Sequence, residues 1–274
     1  MTNNNYLDKF KLNNKTVLIN GGLGLIGSEI SIACITAGAN VIIVDIKKNK
    51  SKNIGKLFLN LKQKPKIINL DTSNYKNIEK NYKKIIDNNK IDVFINTSYP
   101  KDDFWNKNSF KDIKLQSFRK NIDMNMISYA WLTKLIADHM KKNKLKGSII
   151  LLASIYGLLG QDLSIYKNTK IKENMTYSII KGGIINLTKQ MASYYGKYNI
   201  RVNNICPGGV LEKNLNSNKN LQSKMFIKNY SNKVPLKRLA KTSEIASSAL
   251  FLSSDASSYV TGTSLVVDGG WTAI

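Results

Sequence analysis

Tyr177 and Lys181 stand four residues apart in Tyr177-Ser178-Ile179-Ile180-Lys181, which puts a phenol and an ammonium on one helical face, one turn from each other. A cation beside a phenol favours the phenolate, so such a pair can give or take a proton near neutral pH, which an isolated tyrosine does poorly. In a chain with 42 Lys and Arg residues the pair also arises by chance, and Tyr166-Lys167-Asn168-Thr169-Lys170 repeats its spacing. The neighbouring residues separate the two. Tyr177 and Lys181 lead into Ile184, Leu187 and Met191 at helical period, a segment that can be packed rigidly, whereas Tyr166 lies in a polar stretch without such periodicity. Tyr177 is therefore the expected proton-transfer residue.

A second group of residues suits a phosphate. Gly21-Gly22-Leu23-Gly24-Leu25-Ile26-Gly27 follows an apolar run of strand length, with Gly21, Gly24 and Gly27 at three-residue spacing. Such a strand-to-helix turn lets the backbone approach a pyrophosphate, and the helix that opens over Leu25, Ile26 and Gly27 points free N–H groups at it. Asp45 comes 18 residues after Gly27 (45 − 27 = 18), at the end of a second apolar run. There a carboxylate can accept hydrogen bonds from adenosine ribose hydroxyls, or it can simply start a loop. Because a carboxylate repels a 2′-phosphate, NAD is expected over NADP. Lys47 and Lys48 could offset that repulsion, so NADP stays possible.

The elements that must carry these groups alternate. Strand-length apolar runs span Thr16 to Asn20, Val41 to Asp45, Lys66 to Leu70, Ile91 to Asn96, Ser148 to Ala153, Arg201 to Cys206 and Ser264 to Val267. Helical periodicity covers Leu25 to Thr36 with a stop at Gly38, Ile78 to Asn88, about Ser117 to Lys142, about Thr176 to Tyr195, and a helix capped by Ser243 and running to about Leu252. This pattern predicts a single α/β domain over residues 1–274, a doubly wound (Rossmann) parallel sheet of seven strands with helices on both faces. Gln161 to Met175 and Leu211 to Asn232 break the alternation and follow strand ends, where such sheets bind ligands. They are expected to be substrate loops or, especially the second, solvated insertions.

In order along the chain, the glycine turn, Asp45, Asp71-Thr72, Asn96, Asn125, Ser154, Tyr177 with Lys181, Pro207-Gly208-Gly209, Val260-Thr261-Gly262 and Val267-Asp268-Gly269-Gly270 resemble the short-chain dehydrogenase/reductase family over nearly the whole length. Lys181-Gly182-Gly183-Ile184-Ile185-Asn186-Leu187-Thr188 and the ending at Gly270-Trp271 resemble oxidoreductases of flagellin modification and surface-glycan pathways. The resemblance implies that Ser154 hydrogen-bonds the substrate oxygen while Tyr177 transfers the proton. Lys181 would hold the nicotinamide ribose and lower the Tyr177 pKa, and Asn125 would help position a water leading to Lys181. Asp71 would meet the adenine beside Thr72, Asn96 would stabilise the strand beneath the cofactor, and the backbone from Pro207 through Gly208 and Gly209 to Val210 would meet the nicotinamide amide. The chain departs from the family in three ways. Its glycine spacing is that of longer, sugar-nucleotide-modifying members, and Thr97-Ser98 replaces small residues after Asn96. Ser154 also precedes Tyr177 by 23 residues (177 − 154 = 23), nearly twice the common interval, which Tyr166 would match at 12 (166 − 154 = 12).

Bulk properties narrow the partners. A net charge of +24 attracts anions, but only Arg119, Arg201 and Arg238 are arginines, and arginine is the residue favoured for reading phosphates and bases. A solvated basic surface, with no nucleic-acid partner, is the expectation. Cys34 and Cys206 lie in apolar segments as reduced thiols do, the polar start at Met1 to Asn14 lacks a secretory pattern, and no run is long enough for a membrane span. These features point to a cytoplasmic protein without a membrane partner. His139, the sole histidine, stands near a helix end, and no metal site is expected. The expected function is interconversion of a secondary alcohol and a ketone on a small polar molecule: a sugar, sugar phosphate or nucleotide sugar of surface-glycan synthesis. Reduction of a 3-oxoacyl group on an acidic carrier protein and a catalytically silent dinucleotide sensor are the alternatives. The resemblance implies a homotetramer or homodimer, with the helices that begin near Ser117 and Thr176 buried between subunits.

Overall fold

The computed structural model describes residues 5–46, 58–212 and 222–274. Lys47 and Lys48 therefore lie outside the described residues, as do 213–221 of the second irregular segment. Seven strands, β1 (Thr16–Asn20), β2 (Asn40–Asp45), β3 (Lys66–Asn69), β4 (Val93–Asn96), β5 (Ser148–Leu152), β6 (Arg201–Pro207) and β7 (Ser264–Val267), form one sheet in the order β3-β2-β1-β4-β5-β6-β7. Every pairing is parallel. The order reverses between β1 and β4, which are held in register from Val17 opposite Val93 to Asn20 opposite Asn96. The expected strands are thus all present, their ends shifted by two residues at most.

The central strands are apolar because both faces are covered. On one face α1 (Leu25–Thr36) and α7 (Thr242–Ser253) pack Ile30, Cys34, Ile245 and Ala249 against Val17, Ile19, Ile95 and Ile205. On the other, α2 (Tyr75–Asp87), α4 (Ser128–Lys142) and α5 (Met175–Tyr195) pack Ile78, Tyr82, Leu132, Ile136, Ile180 and Ile184 against Leu18, Phe94 and Ile149. A third, smaller cluster of Ile155, Ile165, Tyr230, Val234, Leu239 and Trp271 sits apart from the sheet core and gathers the two irregular segments.

Three expectations need correction. The long helix predicted from Ser117 to Lys142 is α3 (Leu115–Ile122) and α4 joined through a π-helical turn, Asp123–Ile127, a wider geometry that is frequent at functional sites. Leu211 to Asn232 is no loop throughout, since it contains most of α6 (Lys224–Lys233), whose N-cap Ser223 accepts from the Phe226 N–H. Ser243 lies inside α7 and does not cap it. Glu244 reaches back instead to accept from the Lys241 N–H at 2.7 Å, while Arg238 holds its carboxylate from the other side.

Both cysteines are buried free thiols, and burial pushes Cys34 up to about 12 and Cys206 up to about 11. His139 is half-buried near the end of α4, and burial holds its pKa below the usual imidazole range. Arg201 is spent on the carbonyls of Leu252, Ser254 and Val260, where it ties β6 to the end of α7. Among the described residues, no helix is long and apolar enough to cross a membrane, and no three His, Cys, Asp or Glu side chains gather as metal ligands do.

Candidate active site

At the switch point the C-terminal ends of β1, β2, β4, β5 and β6 open into a cavity of about 690 Å³. Its floor is the glycine turn. Gly21 has φ +75°, and a β-carbon there would lie 2.7 Å from the Ser98 amide nitrogen, while one at Gly27 would collide with the Gly21 carbonyl oxygen. The Thr97 hydroxyl donates to the carbonyls of Asn20 (2.9 Å) and Gly21 (3.1 Å). Thr97 therefore fastens the turn to the end of β4, and its size is matched by the missing side chain at Gly27. The α1 N-cap, Gly24, offers no side-chain cap, so the amides of Leu25, Ile26 and Gly27 remain to meet an anion, as a dinucleotide pyrophosphate requires.

Asp45 lines the same cavity, buried, with Oδ2 accepting from the Leu23 N–H at 3.0 Å. That bond fixes the carboxylate beside the turn, where a ribose would come. Asp71 and Thr72 also line it. Asp71 is turned by bonds from the Ser73 amide (2.9 Å) and hydroxyl (2.6 Å), and Thr72 is buried near Asn20. Asn96 does not reach the cavity. It lies beneath, where its Oδ1 accepts from Asn20 Nδ2 (3.0 Å) and Ser98 Oγ (2.8 Å), a bridge between the ends of β1 and β4. From β6, Pro207, Gly208 and Val210 line the cavity, whereas Gly209 faces a second one.

Tyr177 borders both cavities, and Lys181 stands one turn further along α5, buried. The Lys181 ammonium donates to the Leu152 carbonyl at 2.7 Å and lies 4.8 Å from the ring centre of Tyr99, 5.5 Å from that of Tyr177 and 5.6 Å from that of Tyr129. Burial pushes it down to about 7. The same burial raises the Tyr177 pKa, while the Ser154 hydroxyl beside it pulls the other way. Burial is the largest influence on both groups, because loss of water raises the energy of the phenolate and of the ammonium alike.

Asn125 is buried in the π-helical turn and lines neither cavity. Its Nδ2 donates to the carbonyls of Pro100 (3.2 Å) and Asn121 (3.1 Å). It thereby ties the turn to the loop that carries Tyr99 and Pro100 over Lys181. Tyr129, four residues on, donates to the Asn96 carbonyl at 3.2 Å.

The second cavity, about 480 Å³, has Ser154, Tyr156 and Tyr177 on one side and the two irregular segments on the other. Residues 161–175 fold back on themselves, with Gln161 Nε2 donating to the Asn174 carbonyl at 2.8 Å. They also dock onto α6: Tyr166 stacks on Phe226 at 6.3 Å, and Asn229 donates to the carbonyls of Ile165 (3.2 Å) and Lys167 (2.9 Å). Tyr230 continues the row, its ring 4.6 Å from that of Trp271 and its hydroxyl accepting from the Gly209 N–H. Tyr166 is therefore held in place although its stretch lacks helical period, yet it reaches only this cavity. Sequence reasoning missed Tyr99, Trp105, Tyr156, Phe226 and Tyr230. The ring centres of Tyr99, Trp105 and Tyr156 lie 5.3, 6.4 and 6.5 Å from that of Tyr177. A signal was present only for Tyr99 and Trp105, which fall with Phe104 and Phe110 in one short aromatic-rich stretch without period.

A family model described as enoyl-(acyl carrier protein) reductase matches residues 24–272. The chain is 29% identical to the post-translational flagellin modification protein A of Campylobacter coli, with 95% of this chain and 99% of that protein covered. It is 28% identical to the ribulose-forming D-arabinitol 2-dehydrogenase of Candida tropicalis, with 97% and 95% covered. Among solved structures, a short-chain dehydrogenase from Leptospira borgpetersenii with bound NAD+ superposes with a TM-score of 0.80 at 32% identity, over 99% of this chain and 97% of the other.

Proposed function

The chain belongs to the short-chain dehydrogenase/reductase family and is an NAD(P)-dependent oxidoreductase acting on CH–OH groups; from that premise we propose that it interconverts a secondary alcohol and a ketone on a polyhydroxylated substrate. The observation that carries this is Tyr177, the one tyrosine among the described residues that stands on the wall between the glycine-turn cavity and the cavity holding Ser154. A nicotinamide dinucleotide, which the glycine turn, Asp45 and Lys181 would hold, would supply or take the hydride. Ser154 holds the substrate oxygen, Tyr177 passes the proton, and Lys181 holds the ribose. Asn125 keeps the Tyr99 to Pro100 loop in place over that lysine. Asp45 favours NAD.

The substrate is a sugar, sugar phosphate or nucleotide sugar of surface-glycan biosynthesis in the cytoplasm, a reading supported by the flagellin-modification and arabinitol-oxidising relatives. Residues 161–175 and α6 form its pocket. We further read the protein as a homodimer or homotetramer, since α4 exposes Trp131 and α5 exposes Ile179 and Tyr194. Light scattering tests that; a monomer at assay concentrations overturns it. The substrate reading is tested by following NAD(P)H absorbance with D-arabinitol, gluconate, sugar phosphates, nucleotide sugars, a hydroxysteroid and an oxoacyl carrier-protein thioester. Turnover of polyols or sugars is expected. Turnover of the thioester alone would move the enzyme to fatty-acyl chemistry, which the basic surface would suit. Cofactor binding without any turnover would make it a sensor.

A further inference from the structure

The end of β6 runs into Gly208-Gly209-Val210, a stretch of main chain that passes between the two cavities: Pro207, Gly208 and Val210 line the first, Gly208 and Gly209 the second. Most of its bonds are to other main chain. The Gly208 N–H donates to the Val267 carbonyl at 3.0 Å, the Gly209 carbonyl accepts from the Ala240 N–H at 2.8 Å, and the Leu211 N–H donates to the Ala240 carbonyl at 2.9 Å. Two further bonds come from side chains in and just before α6. Gln222 Nε2 donates to the Val210 carbonyl at 2.8 Å, and the Tyr230 hydroxyl accepts from the Gly209 N–H.

Tyr230 does more than accept that bond. A β-carbon at Gly209 would lie 2.7 Å from its ring, and one at Gly208 3.0 Å from its hydroxyl oxygen. The missing side chains of both glycines thus make room for one phenol, and the main chain rests directly on it. The phenol itself has nowhere to retreat. It is 2% exposed, with its ring 4.6 Å from that of Trp271 and 5.9 Å from that of Phe226. Burial raises its pKa, so it remains a neutral hydroxyl.

We propose that Tyr230 is a positioning residue for the nicotinamide end of the cofactor: from α6 it holds Gly208 and Gly209, by bond and by contact, at the depth that lets this stretch meet the nicotinamide amide. This rests on the reading of Pro207 to Val210 as the stretch that does so. The glycine turn and Asp45, which would hold the adenosine half, stand at the ends of β1 and β2, with β4 and β5 between them and β6. Loss of the Tyr230 hydroxyl therefore weakens the grip on the nicotinamide and spares the grip on the adenosine.

The test measures binding of NADH and of ADP-ribose, which lacks the nicotinamide, by calorimetry and by the emission of the reduced nicotinamide. Two variants approach the contact from its two sides. Tyr230→Phe keeps the ring in its row and removes the acceptor, and Gly209→Ala drives a methyl group against the ring. The unmodified enzyme should shift the emission of NADH on binding. Each variant should weaken NADH by about fivefold, the worth of one uncharged hydrogen bond, and leave ADP-ribose unchanged. An effect missing in either variant, or a loss of ADP-ribose affinity by the same factor, overturns the role of Tyr230 and leaves the reading of Pro207 to Val210 standing. NADH bound to the unmodified enzyme with the emission of free NADH would place the nicotinamide in solvent and overturn both together.

Discussion

The cavity on the glycine-turn side of Tyr177 is floored by main chain. Its geometry comes from sheet register, two glycines that tolerate no β-carbon, and a helix start without a cap. The cavity on the Ser154 side is walled by side chains that meet only because residues 161–175 dock on α6, largely through aromatic stacking and two amide bonds from Asn229. One face can bind a ligand common to many enzymes because backbone geometry varies little. The other can change its substrate without disturbing the first, since loops on a rigid frame accept substitution more readily than strand ends do.

The sharpest way to break this division is at the tyrosine that borders both cavities. Tyr177→Phe should lower kcat by about a hundredfold or more while NADH still binds in a fluorescence titration, because only the proton carrier is removed. Tyr166→Phe should have a much smaller effect, because Tyr166 reaches only the second cavity. Were the two variants ranked the other way, the active site would centre on Tyr166 and the partition would be wrong.

On the cofactor side the expected effect is smaller. Asp45 should make NAD bind about tenfold or more tightly than NADP, since the buried carboxylate would repel a 2′-phosphate placed beside it. Calorimetry on both cofactors decides this, and tighter NADP binding would mean that Lys47 or Lys48 overrides the carboxylate. On the substrate side, Phe226→Ala removes the ring on which Tyr166 stacks. It should raise the substrate KM by about fivefold and leave that of the cofactor within error. A change confined to the cofactor constant would show that the two cavities are mechanically coupled.

The same contrast explains what was legible in the sequence. Gly21, Gly27, Asp45 and Tyr177 with Lys181 are readable because their spacing is imposed by the local geometry of a turn, a strand end and a helix. The seven strands were readable for a similar reason, since a sheet covered on both faces demands continuous apolar runs. Tyr156, Phe226 and Tyr230 come from separate segments, and no local period announces that they converge. The π-helical turn at Asn125 was hidden because apolar spacing continues through it. The helix α6 was hidden in a segment where Lys and Asn dilute the few apolar positions.

The smallest predicted effect concerns stability, and it separates the cavities by what each costs the fold. Lys181 is the buried cation of the cofactor side, with a pKa pushed from the ordinary 10.5 down to about 7 by burial. Above pH 10.5 the side chain is neutral in the folded and unfolded chains alike, so burying it carries no charge penalty. As pH falls from 10.5 to 7, the unfolded chain takes up a proton that the folded one refuses, and stability declines. Below pH 7 both forms are protonated and the penalty stays at its full value. Lys181→Met removes that titration while filling the same space. The variant without cofactor should therefore melt roughly 5 °C higher than the unmodified protein at pH 7, with the gap closing as pH approaches 10, even though it loses activity. A variant that melts lower at every pH would mean that the rings of Tyr99, Tyr129 and Tyr177 and the Leu152 carbonyl hold the ammonium better than water does. The cofactor cavity would then be a stabilising element of the fold instead of a strained one.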